Sequence, residues 1–394
     1  MITACPACRS DALRGFHRLD ATPTNSCLLL DDADEARDFP TGRLDLAICD
    51  DCGFITNRAF DPDLAEYSSR YEETQGYSSR FVDFGRTLAK TWVERYGLHG
   101  RHVLEIGCGK GEFLVWMMEA GAGSGTGIDP GVHPERVTTA AGQRITWIPD
   151  FYDERWSHLS ADAIVCRHTL EHLSPVGDFL RMLRENLGDR HETVLLFELP
   201  DVARVLEEAA FWDVYYEHCS YFSAGSLARL FRRSGFEVCD LSLAYDDQYL
   251  LIEARPGRLG AATTARFEIE DDLERLRAGV ATFTRAVTDT VSRWRDEIEA
   301  VTSDGGRVVL WGGGSKAVAF LTELGSDAPI AGVVDINPHK QGRYIAGSGQ
   351  RVLAPEDLRA LAPDLVIAMN PIYRDEIRAS LDGLGLGGTT LTAV

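Results

Sequence analysis

From residue 105 to 112 the chain reads Glu-Ile-Gly-Cys-Gly-Lys-Gly-Glu. Glycines spaced as Gly107, Gly109 and Gly111 let a backbone turn sharply and approach a ligand that a Cβ would exclude. A short apolar run, Val103–Ile106, precedes this turn and a helical pattern, Glu112–Ala120, follows it. A second glycine turn, Trp311-Gly312-Gly313-Gly314-Ser315-Lys316, also follows a strand pattern and opens a helical one. It has two readings. Backbone N–H groups at a helix N-terminus receive phosphate with help from Lys316, or the glycines simply permit close strand–helix packing. The polar, basic run Asp335–Arg343 in an acidic chain favours an anionic ligand, which makes Gly313, Ser315, Lys316, Asp335, Lys340 and Arg343 candidate binding residues. Cys5 and Cys8, then Cys49 and Cys52, form two C-x-x-C pairs, each able to place two thiolates on one tetrahedral ion. Four thiolates leave no open coordination position, so the pairs predict structural zinc, with a redox or disulfide role as the alternative. Cys27, Cys108, Cys166, Cys219 and Cys239 read as small buried side chains.

These residues need a scaffold. At 394 residues the chain exceeds what one core usually serves. Residues 1–66 are rich in Asp and Pro breakers, with short apolar runs such as Leu44–Ile48, and such a segment gains stability from metal. From residue 102 strands and helices alternate, as expected of a parallel α/β sheet: Gly125–Ile128, Ile145–Ile148, Ala163–Cys166 and Val194–Glu198 read as strands, and Phe236–Leu241 with Tyr249–Ala254 as an antiparallel closing pair. After Gly257 a helical pattern carries one apolar stripe through Ile269, Leu273, Leu276, Val280, Phe283, Val287 and Val291. It reads as a helix packed between domains rather than a coiled coil. A second alternating region then runs from Val308 to the end, so the chain divides into 1–66, 67–257 and 258–394.

A formal net charge of −21, with no Lys/Arg-rich run, repels polyphosphate and argues against nucleic acid as a partner. No stretch approaches eighteen uninterrupted apolar residues, and the start lacks a basic segment followed by an apolar core, which excludes a membrane partner and predicts a cytoplasmic protein.

The G-x-G-x-G spacing after Glu105 resembles the class I methyltransferase motif rather than that of dinucleotide binders. The resemblance implies S-adenosylmethionine as cofactor. Glu105 would then meet its methionine portion, Asp129 both ribose hydroxyls, and Asp150 the adenine amino group, with Phe151 against the ring. Together with the cysteine pairs, the run Tyr215-Tyr216-Glu217-His218-Cys219-Ser220-Tyr221-Phe222-Ser223 and the Asp335–Arg343 run resemble the nucleotide-sugar C-methyltransferases over essentially the whole chain. That family implies a zinc-binding N-terminal module, a Rossmann-like cofactor domain and a C-terminal Rossmann-like domain. A nucleotide-linked keto-deoxysugar lies between the last two. Departures mark a divergent branch: Tyr216 stands where the family has His, Cys166–His172 where it has an Asn-Val-x-x-His stretch, and Met369–Tyr373 where it has a Trp-Asn pair.

Transfer to carbon requires an enolate, hence a base near neutrality and a donor at the developing oxyanion. His218 has the appropriate intrinsic pKa, Glu217 would orient a neighbouring imidazole, and Tyr215 or Tyr77 would donate. His172 would be a second acid or base. Methylation of oxygen or nitrogen on a sugar or other small metabolite is the alternative; a non-catalytic sugar-nucleotide scaffold is a third reading.

Overall fold

The computed structural model describes residues 1–258, 266–325 and 327–394. Its centre is a seven-stranded sheet. In spatial order the strands are Phe236–Ala244, Tyr249–Pro256, Val194–Pro200, Ala163–Arg167, His102–Ile106, Ser124–Ile128 and Ile145–Ile148. All run parallel except Tyr249–Pro256, which is antiparallel to both neighbours. Strand order reverses direction between His102–Ile106 and Ala163–Arg167. At such a switch point the loops leaving the carboxyl ends diverge and open a crevice. The first glycine turn and the segment Arg167–His172 leave those two strands side by side.

A five-stranded parallel sheet forms the C-terminal part, in the order Val352–Leu353, Ile330–Val334, Val308–Trp311, Leu365–Ala368 and Thr390–Ala393. The second glycine turn leaves its middle strand and opens the helix Ser315–Leu324.

The N-terminal residues build more than expected, because the strand Leu13–Pro23 pairs with Thr41–Cys49, which pairs with Ile55–Asn57. The Leu13–Pro23 strand escaped sequence reading because Arg14, His17, Arg18, Asp20 and Thr22 break up its apolar residues without a regular alternation. A fourth strand is borrowed: Ser220–Tyr221 pairs with Ile55 and Thr56. The sheet's apolar residues Leu44, Leu46, Ile48 and Ile55 join a core shared with Val202, Leu206 and Trp212 and with the long helix Leu273–Thr302.

That 30-residue helix starts four residues after Ile269, which sits in a single turn before it. Its stripe is occupied within the chain, extends to Trp294 and Ile298, and leaves no face for a coiled coil. Phe283, 1% exposed, meets Phe16 and His17 edge-on with ring centroids 5.9 and 5.2 Å away. Farther along, Trp294 packs on Phe320 at 5.6 Å. Burying each large apolar side chain contributes about 1.5–3 kcal/mol, so the helix ties the N-terminal sheet to the C-terminal one through contacts on a single face. Among the described residues no helix is long and apolar enough to cross a membrane.

Candidate active site

A cavity of about 810 Å³ spans the crevice, lined on one side by the first glycine turn and on the other by the second. Gly107, Gly109 and Gly111 have φ of +69°, +51° and +84°, a region that L side chains rarely adopt. Cβ atoms there would lie 2.0 Å from Thr169 Oγ1, 2.4 Å from Glu73 Oε1 and 2.3 Å from Trp147 Cη2. Asp129 accepts from the N–H of Gly109 at 3.0 Å and of Gly131 at 2.6 Å, which locks the turn to the end of the next strand. Burial raises its carboxyl above the ordinary value against the pull of those N–H groups. Glu105, 2% exposed, has one oxygen with no hydrogen-bond partner, and burial pushes its carboxyl to about 8. Asp150 and Phe151 also line the cavity, where Asp150 pairs with Arg155 at 2.9 Å and the Phe151 ring stands exposed at the rim.

Across the crevice stand two imidazoles, their ring centroids 4.7 Å apart and their planes at 85°. Tyr215 packs on His218 at 4.1 Å. His172 Nδ1 lies 2.8 Å from Tyr67 Oη and 3.1 Å from the Glu217 carbonyl oxygen. A carbonyl can only accept, so Nδ1 carries a proton there. Burial, reinforced by His172, His168 and Lys316, holds His218 well below the ordinary imidazole value, so it stands neutral and able to take a proton. Burial likewise raises the Tyr67 and Tyr215 phenols, which stay protonated as donors.

One expectation for this cluster is overturned. Glu217 does not orient His218: fully buried, its carboxylate accepts from Asn25 Nδ2 at 2.9 Å and from Ser26 Oγ, and its side chain faces the N-terminal residues. Tyr77 lines the cavity at its rim, 44% exposed and 6.2 Å from the His339 ring, whereas Tyr67 is the phenol beside His172. Tyr216 points away from the cavity, 1% exposed, and accepts from Asp61 N at 2.8 Å. The family's histidine is therefore replaced by a strut against the N-terminal module.

In the C-terminal turn, Ser315, Lys316, Asp335 and Lys340 line the cavity. Gly313 does not line it; its N–H donates to Asp335 at 2.8 Å. Arg343 lies outside the cavity and pairs with Asp31, because the run that carries it turns outward after Lys340. Lys316 pairs with Asp213, which also holds Arg204 at 2.6 Å, and Ser315 Oγ lies 2.7 Å from Ser26 Oγ. Asn370 and Gln248 exchange amide hydrogen bonds of 3.1 and 2.9 Å, while Tyr373 Oη bonds Gln75 at 2.8 Å. The divergent Met369–Tyr373 stretch thus seats the C-terminal sheet against the central one.

Residues 77–241 match the family described as a methyltransferase domain, and residues 261–394 the C-methyltransferase C-terminal domain. The curated C-methyltransferase NovU of Streptomyces niveus is 26% identical over 395 residues, spanning 95% of this chain and 91% of its own. The chain belongs to the S-adenosylmethionine-dependent methyltransferases. Among solved structures, the Burkholderia thailandensis 1,6-didemethyltoxoflavin-N1-methyltransferase is 19% identical, with 46% of this chain and 82% of that chain covered and a TM-score of 0.36. The Synechocystis PCC 6803 magnesium protoporphyrin IX methyltransferase is 16% identical, with 45% and 85% covered and a TM-score of 0.34.

The site fits the methyltransferase cofactor: the three glycines leave a cradle that side chains would fill, and Glu105 aims an unpaired oxygen into it. When bound, S-adenosylmethionine supplies an electrophilic methyl on a sulfonium centre. Sequence reading missed Lys110 and Glu73 beside this cradle. Lys110, 4% exposed, donates to the carbonyls of Tyr71 at 2.6 Å and Gly131 at 2.9 Å and stands 3.7 Å from Glu73. Burial raises Glu73 to about 7.

The methyltransferase also carries the cysteine cluster. Cys5 and Cys52 sulfurs are 3.7 Å apart and those of Cys8 and Cys49 3.6 Å. A tetrahedral zinc with Zn–S of about 2.3 Å sets its sulfurs about 3.8 Å apart, so these four residues fit a structural zinc. The knuckles dock on the central domain, where Gly177 N donates to Pro6 O at 3.1 Å and Arg229 Nε to Cys52 O at 3.0 Å. Cys27, Cys108, Cys166 and Cys219 are buried as expected, but Cys239 is exposed, on an edge strand of the central sheet.

Proposed function

We propose that the methyltransferase adds a methyl group to carbon of a nucleotide-activated keto-deoxysugar. The acceptor would lie between the imidazole pair and the second glycine turn. Juxtaposition within one cavity of the cofactor cradle, the His172–His218 imidazole pair and the Ser315–Lys340 wall is the observation that carries this reading. The match to a C-methyltransferase C-terminal domain, and to a relative named as a C-methyltransferase, supports it further.

In this reading His218 takes a proton from the carbon next to the ketone. The C–H electron pair becomes the C=C bond, the carbonyl π pair moves to oxygen, and the proton stays on the imidazole. Tyr67 or Tyr215, both held protonated by burial, donates to the forming oxyanion. The oxyanion pair would then re-form the carbonyl as the C=C pair bonds the methyl that S-adenosylmethionine supplies, the C–S pair staying on sulfur. Lys340, buried at the cavity wall 3.8 Å from Asp335, offers its charge to the nucleotide phosphates.

The test is incubation in deuterated buffer with S-adenosylmethionine and a panel of nucleoside diphosphate keto-deoxysugars, followed by NMR of the product. Deuterium at the carbon beside the ketone and one new methyl on carbon are expected, with both lost in His218→Asn. A methyl on oxygen or nitrogen, with no exchange, would overturn the reading in favour of the alternative acceptor.

A further inference from the structure

Between the cofactor cradle and the imidazole pair runs a line of buried and half-buried charges that the preceding mechanism does not use. Arg167 forks onto Glu198 through Nη2 at 2.7 Å and Nε at 3.2 Å, and its guanidinium lies 4.1 Å from the Phe113 ring centroid. His168 Nε2 is 2.7 Å from the same Glu198, and its Nδ1 is 3.7 Å from Glu171. Glu171 is 2% exposed, and neither carboxylate oxygen has a hydrogen-bond partner. One oxygen of Glu171, one nitrogen of His172 and one nitrogen of His218 all lie within 4.8 Å of one another. Signs alternate along the line from Arg167 through Glu198 and His168 to Glu171, and they sum to zero. The next groups are the two imidazoles.

The backbone holds this order under strain. His168 has φ of +49°, which costs a side-chain-bearing residue of order 1 kcal/mol, and such conformations persist where the surrounding structure fixes them. Burial alone would depress its imidazole, but Glu171 and Glu198 raise it to about 9, so it stays a cation at neutral pH. A carboxylate left without donors in a buried site is costly unless a charge answers it. His168 answers it from one side at a distance too long for a good hydrogen bond. The open side faces His172 and His218.

We propose that Glu171 is the positioning residue of the base: its carboxylate, fixed by His168, balances the positive charge that arises on the His172–His218 pair when a proton is taken. The inference rests on the acid–base reading of that pair. It assigns to Glu171 the role that the sequence suggested for Glu217, whose carboxylate is consumed by Asn25 and Ser26. In the hydrolase triads a buried carboxylate serves an imidazole in the same manner, by stabilising the imidazolium rather than by taking the proton. Besides His168, the groups that feel Glu171 are the phenols of Tyr67 and Tyr215 and the thiols of Cys166 and Cys219. None of these phenols and thiols carries positive charge, and Lys316, whose charge bears on His218, is paired with Asp213, so the two imidazoles are the groups beside Glu171 that gain charge when a proton is taken. A carboxylate with two imidazoles is also a donor set for a divalent metal. The His168 cation beside Glu171 favours the proton over the metal, because it already supplies part of the neutralising charge.

The test needs no acceptor. Histidine ring nitrogens of the 15N-labelled full chain are titrated by NMR, with His172 and His218 assigned through His172→Asn and His218→Asn. Glu171→Gln is expected to weaken proton binding on the pair by about tenfold, while Glu171→Asp keeps most of it. In the unsubstituted protein, which stands in if Glu171→Gln fails to fold, His168 is expected to remain protonated above neutrality while His218 is neutral. An unmoved titration in Glu171→Gln, or a neutral His168 at pH 7, would overturn the proposal. So would stoichiometric cobalt that broadens the two ring signals beyond what the thiolate site takes up, since the three groups would then be metal ligands. If the titration is unmoved yet His218→Asn still abolishes exchange at the acceptor carbon, this inference fails and the base reading stands.

Discussion

The two glycine turns are built alike and used differently. Each follows a parallel strand, opens a helix and is tied by an aspartate from the end of the next strand: Asp129 to Gly109 N at 3.0 Å, Asp335 to Gly313 N at 2.8 Å. In the first turn all three glycines have positive φ and no room for a Cβ, and a carboxyl oxygen of Glu105 without a partner faces the space they leave. In the second only Gly312 has positive φ, and a Cβ on Gly313 or Gly314 would find ordinary contacts at 3.4 to 3.5 Å. Its polar side chains are spent on neighbours, Ser315 on Ser26 and Lys316 on Asp213. The same strand–turn–helix device thus shapes a ligand cradle in one place and joins domains in the other.

That contrast can be broken most directly in the cradle. Gly111→Ala is expected to abolish binding of S-adenosylhomocysteine, a loss of more than about 100-fold by calorimetry, because the new Cβ meets Trp147 at 2.3 Å and φ is +84°. Retained affinity would mean that the turn can yield.

Next in size is Lys316→Met. If the second turn serves chiefly to join domains, the ligand-free protein should lose about 2 kcal/mol in urea unfolding, since Asp213 is left with Arg204 alone. Unchanged stability with weakened nucleotide binding would return Lys316 to a purely ligand-binding role.

A smaller effect, of opposite sign, is expected of Glu105→Gln. The folded protein keeps a proton on Glu105 up to about 8, whereas the unfolded chain releases it near 4.5. Between those values stability falls as pH rises, because the unfolded state binds fewer protons. That linkage caps the gain at about 3 kcal/mol at neutral pH, and because the Gln amide keeps part of the burial cost, removing the ionisable group should stabilise the ligand-free protein by about 1–2 kcal/mol, read as a higher melting temperature. The gain should vanish as pH falls toward 4.5, and cofactor affinity should drop. A cradle paid for in stability would be sharpened by both results together.

Gly314→Ala should do least, within about 0.5 kcal/mol, as φ is −113° and the nearest atom is 3.5 Å away. A large loss would show that the second turn is as constrained as the first.

Much of this was legible in the sequence because the cues were local. Each glycine turn sits between a strand pattern and a helix pattern, and the apolar stripe from Leu276 to Val291 follows helical spacing, so both emerged from neighbouring residues. The roles of Tyr67, Glu171 and Glu217 depend instead on partners far along the chain. Glu217 is claimed by Asn25, 192 positions away, and Tyr67 meets His172 across 105. A motif names the residue type but not the direction its side chain takes, and Tyr216 shows this from the other side: a departure inside the motif that leaves the cavity untouched. The strand Leu13–Pro23 failed for a different reason, as its pairing with Thr41–Cys49 rather than its composition makes it a strand.

The borrowed strand Ser220–Tyr221 bears on how such enzymes can be recombined. Ile55 and Thr56 pair with it, and Thr56 Oγ1 and Asn57 N both donate to the Cys219 carbonyl, one residue past His218. The metal-bearing segment is therefore no detachable cassette. A chimera that grafts the first 66 residues from one homologue onto the body of another changes the frame against which His218 is registered, even though every residue of the graft lies outside the central sheet. Exchanges that keep the 55–57 and 215–223 segments from the same parent should preserve that registration, and those that separate them should not.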